Sequence, residues 1–467
     1  MEQYLEKLLS QIRCKKARPY IADEIKTHME SQIEDNQCAG MTYEEAEKNA
    51  VEDMGDPVAV GISLDKIHRP QIAWRLLVIV GIISILGVLI QQSVCHSYGN
   101  YELSEQMKAT AQPSIMGFVT SVALGVIVMC CIYFLDYTTV AKYSKVLGLA
   151  IIVLCLMCAA GVFGWSANGA RFYVGFGALR ISAVSLLMFY IPIYGAILYK
   201  YRNGGRSAFV LSLVWLVIPV GIAFRLPNVV ASVILMVSML IQLTVALKKG
   251  WYHVPVKRTI GMIWTVAIVL PALSLLAMYS FHLLEEYQEA RIQAFFTQSG
   301  DAFGITGLLR TFSENVAWLG KSGNELIGTL PNVSSDYIFT YIISSYGSLA
   351  GVLVIGSLVS LVVFLFAAVV KQKNELGTVM GIGCGMVFIL NIVLNLLGSM
   401  GWIPPASSFL PFFSAGRSNM VLCYAMVGFV MSIYRYKAVY PRHVKASQVS
   451  FQKDATGEEV RKIISDL

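Results

Sequence analysis

A succession of ten apolar segments, each near the roughly 20 residues that carry a helix across a bilayer, constrains this chain more than any motif in it. They are expected at about 73–91, 115–135, 145–165, 181–199, 208–224, 229–247, 260–281, 343–370, 379–398 and 418–435. Across 467 residues the chain is 56% hydrophobic and only 14% charged, with a mean hydropathy of +0.62, outside the range of ordinary soluble domains. Hydrocarbon offers backbone N–H and C=O groups no partner, so such segments must be helices that satisfy their own. The expected fold is all-α and polytopic, with ten transmembrane helices.

The connections set the orientation. Those after the second, fourth, sixth and eighth segments carry Lys142 and Lys145, then Lys200, Arg202 and Arg206, then Lys248, Lys249, Lys257 and Arg258, then Lys371 and Lys373. Arg435, Lys437, Arg442 and Lys445 follow the last segment. The other short connections are poorer in Lys and Arg, so the positive-inside rule places both termini in the cytoplasm. The first apolar run begins near 73, so no cleavable signal is expected and an uncleaved first span does the targeting. The nine cysteines are scattered, mostly inside apolar segments, and imply no disulfide framework. Cys155 and Cys158 have CxxC spacing without a second pair and read as packing residues. The six histidines are dispersed, so no protein-built metal cage is expected, nor is a nucleic-acid partner.

Residues 1–70 have the opposite charge balance from the rest of the chain. They hold nine Lys/Arg against 14 Asp/Glu, whereas the remaining residues hold 27 against 15, marking a small cytoplasmic helical domain ahead of the membrane part at 71–437. Leu5, Leu8, Leu9 and Ile12 fall at helical spacing, as do Ile21, Ile25, Met29 and Ile33. A third helix begins at Thr42, which forms a capping box with Glu45; Gly55 and Pro57 read as its stop signal. The run from Glu44 to Pro57 resembles the prefix module found ahead of various bacterial permeases. It reads as a regulatory or partner-binding module, its cytoplasmic partner unidentified, or as a merely solvated bundle. A basic cytoplasmic tail is expected at 438–467.

The longest polar connection runs from about 282 to 336 on the outer side and contains Phe295, Phe296, Phe303, Leu308, Leu309, Phe312 and Trp318. Short interfacial helices are expected there rather than disorder. It ends in Leu330-Pro331-Asn332-Val333-Ser334-Ser335-Asp336-Tyr337-Ile338-Phe339, where Asp336 stands at the start of an apolar run reaching Val370. A carboxylate there reads as an N-cap, meeting the positive end of the helix dipole. Local features favour that reading, and the alternative is a reactive group at the membrane edge. The run is longer than one perpendicular span needs, so its first turns are expected to tilt or line a cavity.

Three stretches carry a family resemblance. Leu330 through Gly347 is similar to an LPE-x-HTDFIF segment followed by EELG. Asn395 through Ser418, NLLGSMGWIPPASSFLPFFSAGRS, matches an outer-loop pattern without a gap at Gly401, Pro404, Pro411, Ser414, Gly416 and Ser418. Gly169-Ala170-Arg171-Phe172 looks like GAxRW with one residue fewer, and Arg291 with Asp301-Ala302-Phe303-Gly304 echoes R…DPLG. In this order the features resemble the SEDS family, the FtsW, RodA and SpoVE proteins of bacterial division, elongation and sporulation, over residues 73 to 437. There are departures. QPSE becomes Arg180-Ile181-Ser182-Ala183, QPDLG becomes Leu226-Pro227-Asn228-Val229-Val230, Ser344 and Ser345 stand at the Glu-Glu pair, and Arg417 stands at the second Gly of SYGG. Several outer carboxylates are thereby absent.

The resemblance implies a peptidoglycan glycosyltransferase that polymerises lipid II at the outer membrane face while undecaprenyl pyrophosphate leaves. Such chemistry needs a carboxylate to take a proton from the acceptor sugar hydroxyl, cations for the pyrophosphate, and an apolar groove for lipid tails. Asp336 falls on the family's catalytic aspartate and is expected to be ionised over a helix N-terminus. The outer cations are Arg171, Arg180, Arg225, Arg291, Arg310, Lys321 and Arg417; Arg225 and Arg310 read better as snorkelling side chains. Arg171, Lys321, Arg417, Asp301 and Ser414 are the candidate substrate contacts, Asp301 being equally readable as a helix cap. A divalent cation such as Mg²⁺ could join the pyrophosphate to Asp336 or Asp301. The implied partner is a class B penicillin-binding protein. A non-catalytic scaffold for that partner, favoured by the lost carboxylates, stays open, as does a lipid-precursor flippase. The flippase is disfavoured by the near absence of charge within the spans and of an internal repeat.

Overall fold

The computed structural model describes residues 1–15, 17–99, 113–162, 164–167, 170–176, 179–226, 228–281, 304–320, 332–372, 374–404 and 408–436. The expected tail at 438–467 lies outside them.

Four helices form the N-terminal unit: α1 (Glu2–Ser10), α2 (Arg18–Cys38), α3 (Tyr43–Asp53) and α4 (Pro57–His68). Leu8, Ile12, Ile21 and Met29 make its buried core, the apolar positions of two helical stripes brought face to face. The capping box is present, with Glu45 N–H donating to Thr42 Oγ1 at 3.4 Å and Thr42 N–H to Glu45 Oε2 at 3.2 Å. Gly55, at φ +73°, does end α3, but Pro57 starts a fourth helix that the stop-signal reading missed. Asp56 accepts from Val58 N at 3.2 Å and Ala59 N at 3.1 Å, and proline suits the first helical turn because its missing N–H would have no partner there. The unit meets the membrane part where Gln71 N–H donates to Arg435 O at 3.2 Å and Tyr436 packs on its core.

The membrane part follows the expected segments. Its helices are α5 (Trp74–Gly99), α6 (Ile115–Phe134), the short α7 (Tyr137–Lys142), α8 (Ser144–Ala160), α9 (Ala183–Lys200), α10 (Arg206–Arg225), α11 (Val229–Lys248) and α12 (Val256–Ser280). Within the long connection lies α13 (Gly304–Glu314), and after it come α14 (Ile338–Tyr346), α15 (Ser348–Val370), α16 (Glu375–Ser399) and α17 (Arg417–Arg435). Among the described residues eight helices are long and apolar enough to cross a membrane; the 17-residue α8 and the 19-residue α17 occupy the other two expected positions. The protein is an all-α, multi-pass membrane protein.

Burial explains why α17 is the least apolar of these. Every residue from Leu422 to Ile433 is buried, so α17 is enclosed by protein and can carry polar groups that a lipid-facing helix could not. The most apolar window of α9 is 72% buried and that of α12 only 11%, placing α9 inside the bundle and α12 at its edge.

Two features depart from the pattern read in the sequence. The apolar run after Asp336 is not one tilted helix: it breaks at Gly347, whose φ is +90° and whose missing Cβ leaves room for Trp318 O, 2.7 Å from where that atom would stand. A side chain there would be strained and would displace the segment at 317–319. The run at 145–165 ends early, at Gly161 with φ +85°. Beyond it a three-stranded antiparallel sheet, β1 (Gly164–Ala167), β2 (Ala170–Phe176) and β3 (Leu179–Ser182), is ordered β1-β2-β3 with Tyr173 opposite Ser182. Tyr173 and Val174, aromatic and β-branched, suit a pleated surface.

Candidate active site

Asp336 sits in the turn at 332–337, immediately before α14. Asn332 starts that turn at φ +57°, a conformation Asn tolerates better than most residues, and its carbonyl accepts the N–H groups of Ser335 and Asp336 at 3.0 Å each. The N-cap reading of Asp336 is corrected: α14 begins at Ile338, its N-cap is Tyr337, and no side chain caps it.

The turn is clamped through three successive carbonyls. Ser334 O accepts from Gln91 Nε2 and from Ala415 N, both at 2.8 Å. Ser335 O accepts from Ser414 Oγ at 2.7 Å. Asp336 O accepts from Asn395 Nδ2 at 3.0 Å and Ser399 Oγ at 3.2 Å. The donors come from α5, α16 and the segment 408–415, so the backbone carrying the carboxylate is fixed from three sides. One helical turn later, Thr340 Oγ1 donates to Ser399 O at 2.6 Å.

By contrast, the carboxylate itself receives no hydrogen bond from the described residues. Burial pushes its pKa up from 3.8 to about 6, because the charged form loses hydration and no cation or donor among the described residues replaces it. What is corrected is the expected influence of a helix N-terminus: the carboxylate is still ionised at neutral pH, but the dominant influence on it is desolvation, which acts the other way. The result suits proton transfer. A base whose pKa lies just below the working pH is mostly deprotonated yet accepts a proton more readily than an ordinary aspartate.

Ser414, expected to touch substrate, is 3% exposed. Its hydroxyl donates to Ser335 O and accepts from Leu410 N at 2.7 Å, so it positions the Asp336 turn. Arg417 is exposed as the first residue of α17, two residues beyond the Ala415 N–H that binds Ser334 O. The backbone of Arg171 lies in β2, opposite Ser166. That sheet reaches the same end of the bundle, since Ser182 N donates to Ser418 Oγ at 3.0 Å. Lys321 and Asp301 lie outside the described residues. Arg310 makes a 3.8 Å pair with Glu314 on its own helix, and Arg225 is exposed at the end of α10. Ser344, at the position of an absent carboxylate, is 3% exposed.

Sequence reasoning missed Gln91, Ser399 and Thr340 as parts of the site and had Asn395 only as the start of a motif. All four are at most 1% exposed. The available signal was an amide or hydroxyl inside an apolar segment, which must find a hydrogen-bond partner; the partner's identity was not in the pattern. Among the described residues no three His, Cys, Asp or Glu side chains come together to hold a metal ion.

The family model described as "Cell cycle protein", for FtsW, RodA and SpoVE, matches residues 73–439. The probable peptidoglycan glycosyltransferase FtsW of Aliivibrio salmonicida is 24% identical over 76% of this chain and 88% of its own length. The peptidoglycan glycosyltransferase MrdB of Escherichia coli is 24% identical over 63% of this chain and 79% of its own. Among solved structures, a chain from a study of polymerisation and crosslinking by a peptidoglycan synthase complex shares the fold with a TM-score of 0.62 at 18% identity, covering 78% of this chain and 98% of that one. The rod shape determining protein RodA of Thermus thermophilus gives a TM-score of 0.53 at 17% identity, covering 78% and 97%. With the family match spanning residues 73–439 and the fold shared over 78% of the chain, this chain belongs to the FtsW/RodA/SpoVE family.

Proposed function

We propose that this chain is a peptidoglycan glycosyltransferase that polymerises lipid II at the outer face of the bacterial cytoplasmic membrane, with both termini in the cytoplasm. The observation that carries the reading is Asp336: an aspartate with a pKa near 6 on a turn whose three carbonyls are held by other segments. Asp336 takes the proton from the acceptor sugar hydroxyl as that oxygen attacks the donor's anomeric carbon, and the pyrophosphate departs on its lipid. Fixing the backbone fixes the base, so little reorganisation remains at the moment of transfer.

Arg417 and Arg171 are the cations proposed for the leaving pyrophosphate, with Lys321 and Asp301 as further substrate contacts. A divalent cation would be held chiefly by pyrophosphate oxygens, with Asp336 or Asp301 as a protein ligand, since hard oxygen donors suit Mg²⁺. A class B penicillin-binding protein is the proposed crosslinking partner, supported by the synthase complex that shares the fold. The residues 1–70 form the cytoplasmic module in this reading.

One observation favours a second reading, a scaffold that binds such a partner without catalysing: buried Ser344 stands where the family resemblance puts a carboxylate. Labelled lipid II, purified chain and Asp336→Ala, each with and without partner, distinguish the two. Polymer from the native chain alone among the two proteins supports the enzyme; polymer from neither, under conditions where a working relative is active, supports the scaffold.

A further inference from the structure

We propose that Gln91, on the first membrane helix, is a positioning residue for Asp336, and that it acts by stapling the turn at 332–337 to the segment at 408–415. This rests on the reading of Asp336 as the base. Gln91 is 1% exposed, and its single NH2 group donates twice, to Ser334 O at 2.8 Å and to Phe413 O at 2.7 Å. Both protons of one amide are thereby committed to two loops that lie 243 and 322 residues away in sequence. Asn395 on α16 repeats the arrangement from the other side, its Nδ2 donating to Asp336 O and to Ser408 O at 3.0 Å each.

Simple satisfaction of a carbonyl does not account for the bond from Gln91 to Ser334. Ser334 O already receives Ala415 N at 2.8 Å, so at that atom the amide adds a second direction of restraint, two residues from Asp336. The helix is also shaped to reach the loop. One turn before Gln91 stands Gly87, and a Cβ there would collide with Phe412 O. Phe412 itself holds φ +67°, an uncommon conformation for a bulky residue. Further along, Ser93 and Ser97 each share a 3.0 Å hydrogen bond with the Tyr341 hydroxyl on α14. α5 thus meets the segment 408–415 with the face of Gly87 and Gln91 and α14 with the face of Ser93 and Ser97.

Displacing a reacting group by about 1 Å costs on the order of 10²-fold in rate. Gln91→Met keeps the side chain's length and removes both donors. The full chain, with its synthase partner where turnover needs one, is compared with this variant in two measurements. Hydrogen–deuterium exchange is expected to accelerate at 332–341 and 408–416 together while other spans keep their native rates. With lipid II, kcat is expected to fall by about 10- to 100-fold with KM within about threefold. Unchanged exchange in the two loops overturns the inference, as does a variant with native kcat. If the native chain makes no polymer, the proposed function fails, while the exchange measurement still decides whether Gln91 holds the loops. Should Gln91→Met not fold, Gln91→Asn, which keeps the amide but is one methylene short of bridging both carbonyls, is read by the same two measurements.

Discussion

Asp336→Asn should make the protein more stable at neutral pH and inactive. In the native chain the pKa of Asp336 lies at about 6 instead of 3.8. At about 1.36 kcal/mol for each pH unit of displacement, that difference corresponds to about 3 kcal/mol of destabilisation by the charged form. The side chain is only partly buried, so solvent screening brings the expected figure to about 2 kcal/mol. The sign comes from proton binding: between pH 3.8 and about 6 the folded state holds the proton more tightly than the unfolded one, so stability falls as pH rises through that window. Above it the cost is constant, and below 3.8 it vanishes. The neutral amide carries no such cost. The assay is thermal unfolding in detergent at pH 5.0 and 7.5, native against Asp336→Asn, reading the difference of differences so that other titrating groups cancel. A gain of roughly 2–3 °C for the variant at pH 7.5, shrinking towards pH 5, is expected from about 2 kcal/mol in a chain of this length. A variant that gains nothing at pH 7.5, or whose gain is the same at both pH values, refutes the burial argument.

The same geometry sets other outcomes. Polymerisation measured as kcat/KM should fall about tenfold per pH unit below the Asp336 pKa of about 6, since the protonated acid cannot act as base. Ser414→Ala removes one hydroxyl from two partners, Ser335 O and Leu410 N, and should lower stability by about 1–3 kcal/mol; its melting curve and turnover should drop together. Gly347→Val combines a strained φ of +90° with a collision against Trp318 O; limited proteolysis should show faster cleavage in 317–320, with native susceptibility in the N-terminal unit. Thr42→Ala breaks the capping box and should cost about 1 kcal/mol, seen in exchange at α3 without a change in the membrane helices.

The membrane helices were legible because lipid imposes a length and a composition on each one separately. Asp336 was legible for a related reason: a lone carboxylate at the edge of an apolar run stands out. What holds Asp336 was not. Its clamps, Gln91, Asn395, Ser399 and Ser414, lie between 59 and 243 residues from the carbonyls they bind, and no local pattern encodes such a pairing. The sheet at 164–182 was hidden because aromatic and β-branched residues are as apolar in a strand as in a span. The fourth helix of the N-terminal unit was hidden because Pro57 can end one helix or begin the next, and only Asp56 aimed at Val58 and Ala59 distinguishes them. The pKa of Asp336 depended on whether partners surround the carboxylate, which sequence position alone does not fix.

The measurement that bears most directly on the account is glycan-chain formation from labelled lipid II by the purified native chain and by Asp336→Asn, both confirmed folded and both supplied with the synthase partner. Polymer from the native chain and none from the variant, which is the better folded of the two at pH 7.5, is the predicted result. Equal polymer from both would show that Asp336 is not the base and would contradict the account.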